Sequence, residues 1–180
     1  MKKMPNNIYL VGPMGAGKTT IGRQLARKLN WAFYDTDHII EERTGVDLSW
    51  LFDIEGEKSF HEREKKVLVE LSQITSAVIS TGGTSVVLPE NCALMTHTGL
   101  VIYLYADVSS QIERTTHNRQ HRPQLGSENV QKRIVELCHS YIPLYESVAH
   151  VKFSTNVSNF QTVIKAILHY LDSSASITRE

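Results

Sequence analysis

One short stretch near the start of the chain constrains its fold more than any other. Residues 12–19 read Gly-Pro-Met-Gly-Ala-Gly-Lys-Thr, which matches the phosphate-binding loop pattern G-x-x-x-x-G-K-[ST]. The apolar run 8–11 before it predicts a strand, and residues 20–29 after it predict a helix. Loop glycines let backbone N–H groups surround a phosphate, and the N-terminus of the following helix favours the same anion. We therefore expect an α/β protein that binds a nucleoside triphosphate.

The residue types in this loop predict separate contacts with the triphosphate and its metal. Lys18 would place a positive charge at the β- and γ-phosphates, and the Thr19 hydroxyl would bind Mg²⁺. The expected ATP-binding residues of the loop and of the first helical turn are Gly15, Ala16, Gly17, Lys18, Thr19 and Thr20. ATP is therefore the expected co-substrate, and Mg²⁺ is the expected cofactor.

Length and composition narrow the class of protein. A chain of 180 residues with 41% hydrophobic content suits one domain, placed at 1–172, with a frayed tail at 173–180. Its 19 basic and 19 acidic residues cancel, so no net field attracts nucleic acid or an anionic membrane. Neither a secretory signal pattern nor an apolar segment of bilayer length is found, and Cys92 and Cys138 are expected to be reduced thiols. The cytoplasm is the expected location.

Short apolar runs alternate with longer segments of helical periodicity. The predicted strands are residues 8–11, 32–34, 77–80, 101–105 and 151–154. The predicted helices are residues 20–29, 37–43, 48–73 with a break near Gly56, 90–97, 108–116, 128–149 and 159–171. This alternation predicts a three-layer α/β/α fold around a five-stranded parallel sheet. The apolar face of the last helix, including Phe160, is assigned to the core.

Three of the predicted strands end in residues that could bind ligands, and parallel strands present their carboxyl ends at one edge. The first leads into the phosphate loop, the second into Asp35 and Asp37, and the third into Gly82 and Gly83. The two carboxylates could serve Mg²⁺ and orient or deprotonate an accepting hydroxyl. Alternatively, Asp37 only caps the helix predicted to begin there. The glycines permit close approach of a substrate to the backbone, or they form an ordinary turn.

A polar, arginine-containing stretch begins at the end of the helix predicted at 108–116. Its arginines are Arg114, at the end of that helix, Arg119 and Arg122. The stretch predicts a mobile lid at about 115–127 that brings an arginine to the transferred phosphate. A solvated basic loop is the alternative.

The segment 61–64 begins His-Glu but lacks the second histidine of H-E-x-x-H, so no protein-bound zinc is expected.

The order and spacing of these motifs resemble the shikimate kinase family over nearly the whole chain, residues 7–171. The resemblance rests on the phosphate loop together with Tyr34-Asp35-Thr36-Asp37, Phe60 with Glu64, Thr81-Gly82-Gly83, Arg122-Pro123 and Pro143-Leu144-Tyr145. It implies transfer of the ATP γ-phosphoryl group to the 3-hydroxyl of shikimate with Mg²⁺, in aromatic amino-acid biosynthesis. It also implies a P-loop kinase fold of the nucleoside monophosphate kinase type with a mobile lid.

The resemblance also implies roles for individual residues. Thr19, and Asp35 through a water molecule, would serve the metal. Asp37 would contact the acceptor hydroxyls and act as the base, while the backbone of Gly83, next to Gly82, would face the acceptor. The residues expected to take part in catalysis are Lys18, Asp37 and Arg122. Of the two arginines implied in ATP binding, Arg122 would contact the phosphates from the lid and Arg114 would stack on adenine.

The sequence departs from the family pattern at several positions, two of which concern the binding of the acceptor carboxylate. The family's F-R-x-x-E is Phe-His-Glu-Arg-Glu at 60–64, and its R-x-P-L-Y begins with Tyr141. In the family both arginines grip the shikimate carboxylate, so His61 and Tyr141 are predicted to be substrate-binding residues of an altered clamp. Losing two charged hydrogen bonds would weaken acceptor binding by roughly 3–6 kcal/mol, or about 10²- to 10⁴-fold. Arg63 would point elsewhere on its helix and is not expected to substitute.

Three functions remain open at this point. The first is a shikimate kinase with a modified acceptor site. The second is a kinase of the same fold for another small hydroxylated metabolite that is neutral or carries its anion elsewhere. The third is a nucleotide-binding regulatory protein with little activity. The residues that argue against it are the intact Lys18, Thr19, Asp35, Asp37 and Arg122. A monomer is expected, because family members of this size are often monomers.

Overall fold

The structure is a computed structural model, and it describes residues 5–116, 130–157 and 159–176. Its strands are β1 (Asn7–Val11), β2 (Ala32–Asp35), β3 (Ala77–Ser80), β4 (Leu100–Tyr105) and β5 (Val151–Ser154). Its helices are α1 (Lys18–Leu29), α2 (Thr36–Thr44), α3 (Leu48–Ser72), α4 (Pro89–Thr98), α5 (Val108–Thr116), α6 (Val130–Val148) and α7 (Phe160–Ser176). No helix in the described ranges is long and apolar enough to cross a membrane.

The five strands form one parallel sheet in the order β2-β3-β1-β4-β5. This confirms the predicted fold class. The central strand β1 is fully buried, and its alternate residues enter different cores. Tyr9 and Val11 pack in one core, whereas Ile8 and Leu10 pack in the other. A sheet buried on both faces favours the near-continuous apolar runs from which the strands were predicted.

Different helices cover the two faces of the sheet. One core brings α3, α4 and α6 onto the sheet, through residues such as Phe60, Met95 and Tyr145. The other core brings α1 and α7 onto the opposite face, through Leu25 and Ile164 among others. The result is the predicted α/β/α arrangement of layers. It leaves the carboxyl ends of β1, β2 and β3 side by side at one edge.

The helices agree with the prediction in one informative place and differ from it in another. The predicted break in α3 is present, because Gly56 adopts φ 82° and ψ 166°, which no helical residue does. Helix α7 continues to Ser176, beyond the predicted end at residue 171. The predicted lid overlaps α5 at residues 115–116, and the rest of it, with Arg119 and Arg122, lies outside the described residues.

Candidate active site

A cavity of about 620 Å³ lies at the carboxyl ends of the first three strands. It brings together the phosphate loop, the end of β2 and the segment after β3. Its lining residues are Met14, Gly15, Gly17, Lys18, Thr19, Thr20, Arg23, Asp35, Asp37, His38, Glu41, Leu48, Phe60, Ser80, Thr81, Gly83, Arg114 and Phe160. Of the predicted site residues that the structure describes, those that do not line this cavity are Ala16, His61, Gly82 and Tyr141.

The phosphate loop is held tightly against its surroundings. Gly17 stands just before α1 with φ 84°, and a Cβ there would lie 2.7 Å from the Phe160 ring. Both the left-handed backbone and the close ring therefore require glycine. Lys18 Nζ donates to the carbonyl oxygens of Gly12 (2.6 Å) and Pro13 (3.0 Å), so the ammonium group is held at the loop. A fixed cation beside a helix N-terminus suits a phosphate.

Two oxygen-bearing side chains meet next to the loop. Thr19 Oγ1 donates to Asp35 Oδ2 at 2.7 Å. Asp35 Oδ1 in turn accepts from the backbone N–H groups of Asp37 (3.2 Å) and His38 (3.5 Å), so it is Asp35 that caps α2. The alternative that Asp37 is the cap is therefore wrong, because α2 begins at Thr36.

The same pair of side chains fits Mg²⁺. Mg²⁺ prefers oxygen ligands, and proteins usually supply only one or two of them, with the substrate phosphates and water completing the shell. Thr19 and Asp35 provide a hydroxyl and a carboxylate 2.7 Å apart, directly beside the phosphate loop. Within the described residues no group of three or more His, Cys, Asp or Glu could hold a metal alone. The hydroxyl of Thr19 and the carboxylate of Asp35, placed beside the phosphate loop, suit a metal that also binds the phosphates of the nucleotide.

Asp37 has the most unusual environment of the carboxylates in the cavity. Its Oδ1 atom is fully enclosed and has no hydrogen-bond partner in the described part of the chain, although the residue as a whole is half-buried. Burial, together with the negative charges of Asp35, Glu64 and Glu41, raises the pKa of Asp37 to about 8, against the opposing effect of Lys18. Such a carboxylate is suited to accept a hydrogen bond, and then a proton, from an incoming hydroxyl.

A second, fully buried carboxylate supports the segment after β3. Glu64 accepts hydrogen bonds from Thr84 Oγ1 (2.9 Å) and Ser85 Oγ (3.0 Å). The backbone N–H of Gly82 donates to Thr36 Oγ1 at 2.9 Å, which ties the same segment to α2. Thr36, Thr84 and Ser85 were not predicted to be site residues. Buried hydroxyls beside a known motif were the available signal, but their partners come from distant parts of the sequence.

His61 lies behind the cavity and is almost fully buried. Its Nδ1 is 2.8 Å from Glu64 Oε2, and its Nε2 is 3.4 Å from Glu57 Oε1. The hydrogen bond to Glu64 raises the pKa of His61, with a smaller contribution from Glu57. The carboxylate partners are therefore Glu64 and Glu57, and not Glu62. Arg63 forms an exposed pair with Glu55 at 2.7 Å and, as predicted, does not take the place of the family arginine.

One tyrosine of α6 contacts Gly83, and a second tyrosine packs against the first. The Tyr145 hydroxyl donates to the carbonyl oxygen of Gly83 at 2.6 Å, and the Tyr145 ring stacks on Tyr103. Tyr141 is half-buried and packs edge-on against Tyr145, with ring centroids 6.5 Å apart. The structure thus places Gly83 in the cavity wall and supports its carbonyl from behind, while Tyr141 lies farther out.

Arg114 connects three parts of the chain at the other end of the cavity. Its guanidinium donates to the carbonyl oxygens of Gly15 (3.0 Å) and Thr155 (2.8 Å) and lies 5.1 Å from the centroid of the Phe160 ring. Phe160 packs against the core as predicted, but it is only half-buried and also lines the cavity, a role that was not predicted from the sequence. This role was missed because Phe160 falls on the apolar face of α7, where helical periodicity predicts packing.

Replacing Gly82 by alanine is expected to damage the site. A Cβ at this position would lie 2.5 Å from Glu64 Oε1 and 2.6 Å from Asp37 Oδ1, so both carboxylates must move. We expect a loss of about 1–3 kcal/mol in unfolding free energy and at least about a tenfold fall in kcat. Thermal melts and steady-state kinetics measure the two effects. At the neighbouring Gly83 the nearest atom is 3.7 Å away, so Gly83→Ala is the matched stability control, and equal melts would contradict the argument.

Comparisons with known proteins agree with this geometry. The family model for shikimate kinase matches residues 14–172. The shikimate kinase of Legionella pneumophila (strain Corby) is 47% identical over 165 residues, which cover 92% of this chain and 94% of the relative. That of Haemophilus influenzae (strain PittEE) is 45% identical and covers 93% of each chain. A solved shikimate kinase from Acinetobacter baumannii, in complex with shikimate, superposes with a TM-score of 0.90 at 41% identity and covers 96% of each chain.

The fold and the cavity define a P-loop kinase, a phosphotransferase that uses an alcohol group as acceptor. The matches over nearly the whole chain narrow this class further. The chain belongs to the shikimate kinase family.

Proposed function

We propose that this chain transfers the γ-phosphoryl group of ATP to the 3-hydroxyl of shikimate. One observation supports the proposal above the others. The Oδ1 atom of Asp37 is enclosed and unpartnered among the described residues, and its carboxyl group lines the same cavity as Lys18 and the Thr19–Asp35 pair. A hydroxyl of the acceptor would reach this carboxyl group from the cavity side, at the position where the transferred phosphoryl group arrives.

The donor half of the site would bind the triphosphate and its metal. The backbone of residues 15–20 and the Lys18 ammonium would hold the phosphates. Thr19 would hold Mg²⁺, with Asp35 acting through a water molecule, and the ion would neutralise charge on the phosphate oxygens. Arg122 remains the lid arginine predicted from sequence and would contact the phosphates. These roles follow from the donor geometry and from the family pattern.

The acceptor half would orient the hydroxyl and remove its proton. Asp37 would accept a hydrogen bond from the 3-hydroxyl, and its carboxylate would take the proton as the oxygen attacks the γ-phosphorus. Gly83, whose carbonyl is fixed by Tyr145, would present backbone to the acceptor. Gly82 would keep the space between Asp37 and Glu64 open, since any side chain there would collide with both carboxylates.

Arg114 and Phe160 would form the surface that receives the adenine ring. A planar cation and an aromatic ring lie together at the cavity edge beside the phosphate loop, and both groups stack on nucleobases. We expect Phe160→Leu, which keeps an apolar side chain against Gly17, to raise the KM for ATP by about 5- to 150-fold. The KM for the acceptor should not change. An unchanged KM for ATP would remove Phe160 from the proposed site.

Release of ADP, coupled to a spectrophotometric assay, tests the proposed function directly. Purified protein with Mg²⁺, ATP and shikimate should show saturable turnover. Turnover with another polyol or cyclitol but none with shikimate would select the second function left open by the sequence. ATP binding without turnover on any acceptor would select the third. We also keep the sequence-based predictions of a cytoplasmic location and a monomer, which fractionation and light scattering test.

A further inference from the structure

The position of His61 decides what this residue can offer an acceptor. Its Nδ1 is 2.8 Å from a carboxylate oxygen of Glu64, whose side chain is 0% exposed, and its Nε2 is 3.4 Å from Glu57. A histidine has only these two nitrogens with which to donate. Both point at glutamates of the same helix, and His61 does not line the cavity. His61 is therefore a positioning residue for Glu64 and has no nitrogen left for a ligand.

The charges around Asp37 also disfavour the binding of an acceptor carboxylate. Asp35, Glu64 and Glu41 all act on Asp37 as negative charges, and Lys18 is the positive charge that opposes them. Lys18 is also held at the phosphate loop by two backbone carbonyl groups. An acceptor carboxylate entering beside Asp37 would therefore meet mostly negative charge, whereas an acceptor hydroxyl would meet groups that accept hydrogen bonds.

We infer that this chain recognises its acceptor through the ring hydroxyls and gains little affinity from the acceptor carboxylate. The inference rests on the proposed function and concerns how its acceptor site selects ligands. Two charged hydrogen bonds to a carboxylate would make an acid bind about 10²- to 10⁴-fold more tightly than a neutral derivative. In this chain the corresponding preference is small for two reasons. Both ring nitrogens of His61 face Glu57 and Glu64, and the Tyr141 side chain offers only a neutral phenol.

Arg23 is the strongest competing candidate for a carboxylate-binding group. It lines the cavity from α1 and lies 5.5 Å over the Phe33 ring. It has no carboxylate partner in the ranges that the structure describes. If the acceptor carboxylate is gripped after all, Arg23 is the side chain among them with free donors in the cavity. Arg23 must therefore be tested together with His61, and the exposed Arg27, one turn farther along α1, provides a matched control.

Binding of shikimate and of its methyl ester tests the inference. The ester keeps all three ring hydroxyls and lacks the charge. Calorimetric titration of shikimate or of the ester into the purified protein, in the presence of Mg²⁺ and ADP, gives the two dissociation constants. The ADP-release assay gives kcat for both acceptors. We expect shikimate to bind less than about 30-fold more tightly than the ester, below the range that a two-bond clamp supplies. A larger preference would overturn the inference.

Variants separate positioning from clamping. His61→Gln should change kcat by the same factor for the acid and the ester, because it acts through Glu64. The double change His61→Arg with Tyr141→Arg should tighten shikimate by at least about tenfold and leave the ester unchanged, since it restores two cations. The inference would be overturned if His61→Gln weakened the binding of shikimate but not of the ester. The same selective effect in Arg23→Gln, if absent in Arg27→Gln, would also overturn it, because either result would show that the protein binds the carboxylate.

The proposed function and this inference can fail separately. If both ligands bind with similar affinity and neither is phosphorylated, the proposed function fails and the inference holds. If shikimate is phosphorylated and the ester neither binds nor reacts, the inference fails and the function holds. If neither ligand binds, both fail.

Discussion

Asparagine in place of Asp37 is expected to lower kcat by about 10²- to 10⁴-fold and at the same time to stabilise the protein without ligands. The loss of activity follows because the amide cannot accept the proton of the acceptor hydroxyl. The gain in stability follows because the enclosed Oδ1 atom no longer has to carry charge next to Asp35, Glu64 and Glu41. Kinetic assays measure the first effect, and thermal melts without nucleotide measure the second.

The gain should depend on pH in a defined way. The folded protein raises the pKa of Asp37 from 3.8 to about 8, so it binds the proton more tightly than the unfolded chain between these values. The wild type therefore loses stability as pH rises from about 4 to about 8, whereas the Asp37→Asn variant lacks this titrating group and does not. We expect the free energy of unfolding of the variant to exceed that of the wild type by about 1–3 kcal/mol at pH 9, and to be almost equal to it at pH 4.

A surface carboxylate supplies the control for this experiment. Asp53 is exposed on α3, and Asp53→Asn should leave both the melting profile and kcat unchanged. Equal melting temperatures of wild type and Asp37→Asn at pH 9 would show that the carboxylate is better solvated than its enclosed oxygen implies. A variant that keeps full activity would instead show that another group accepts the proton.

Methionine in place of Lys18 is expected to reduce kcat/KM by about 10²- to 10³-fold or more, with little change in the fold. Methionine keeps the length of the side chain but removes the charge that would stabilise the β- and γ-phosphates. The two hydrogen bonds to Gly12 and Pro13 are lost as well, at about 1 kcal/mol each. Steady-state kinetics and calorimetric titration with ATP separate lost catalysis from lost binding.

The exposed Lys28, on the same helix, provides the comparison. Lys28→Met removes an equal charge far from the cavity, and we expect its kinetics to match those of the wild type. If Lys18→Met and Lys28→Met behave alike, Lys18 serves only to hold the loop. If the loss in Lys18→Met lies entirely in KM, the ammonium binds ground state and transition state equally.

The sequence predicted most accurately what local patterns determine. All five strands were located within one residue, because buried parallel strands are short, apolar and bounded by turns. The phosphate loop was readable because its glycines and Lys18 occupy fixed spacings. The alternative that Asp37 caps α2 was wrong, since the cap depends on whether the helix begins at Thr36 or one residue later, and patterns do not resolve a single residue.

The residues that the sequence analysis missed depend on contacts between distant segments. Glu64 meets Thr84 and Ser85 only after α3 packs near β3, and no spacing along the chain predicts that meeting. The partners of His61 were more accessible to reasoning. Residues three and four apart share a helix face, so helical spacing alone places Glu64 and Glu57 beside His61.

The convergence of contacts on Arg114 has a consequence for ATP affinity. One guanidinium contacts the phosphate loop at Gly15, the end of β5 at Thr155 and the ring of Phe160. Residues that share a partner couple energetically, so changes at Arg114 and Phe160 should not have independent effects on ATP binding. The double substitution should therefore reduce the free energy of ATP binding by less than the sum of the two single substitutions. Under the proposed function, affinity for the base and affinity for the phosphates are expected to be energetically coupled through Arg114.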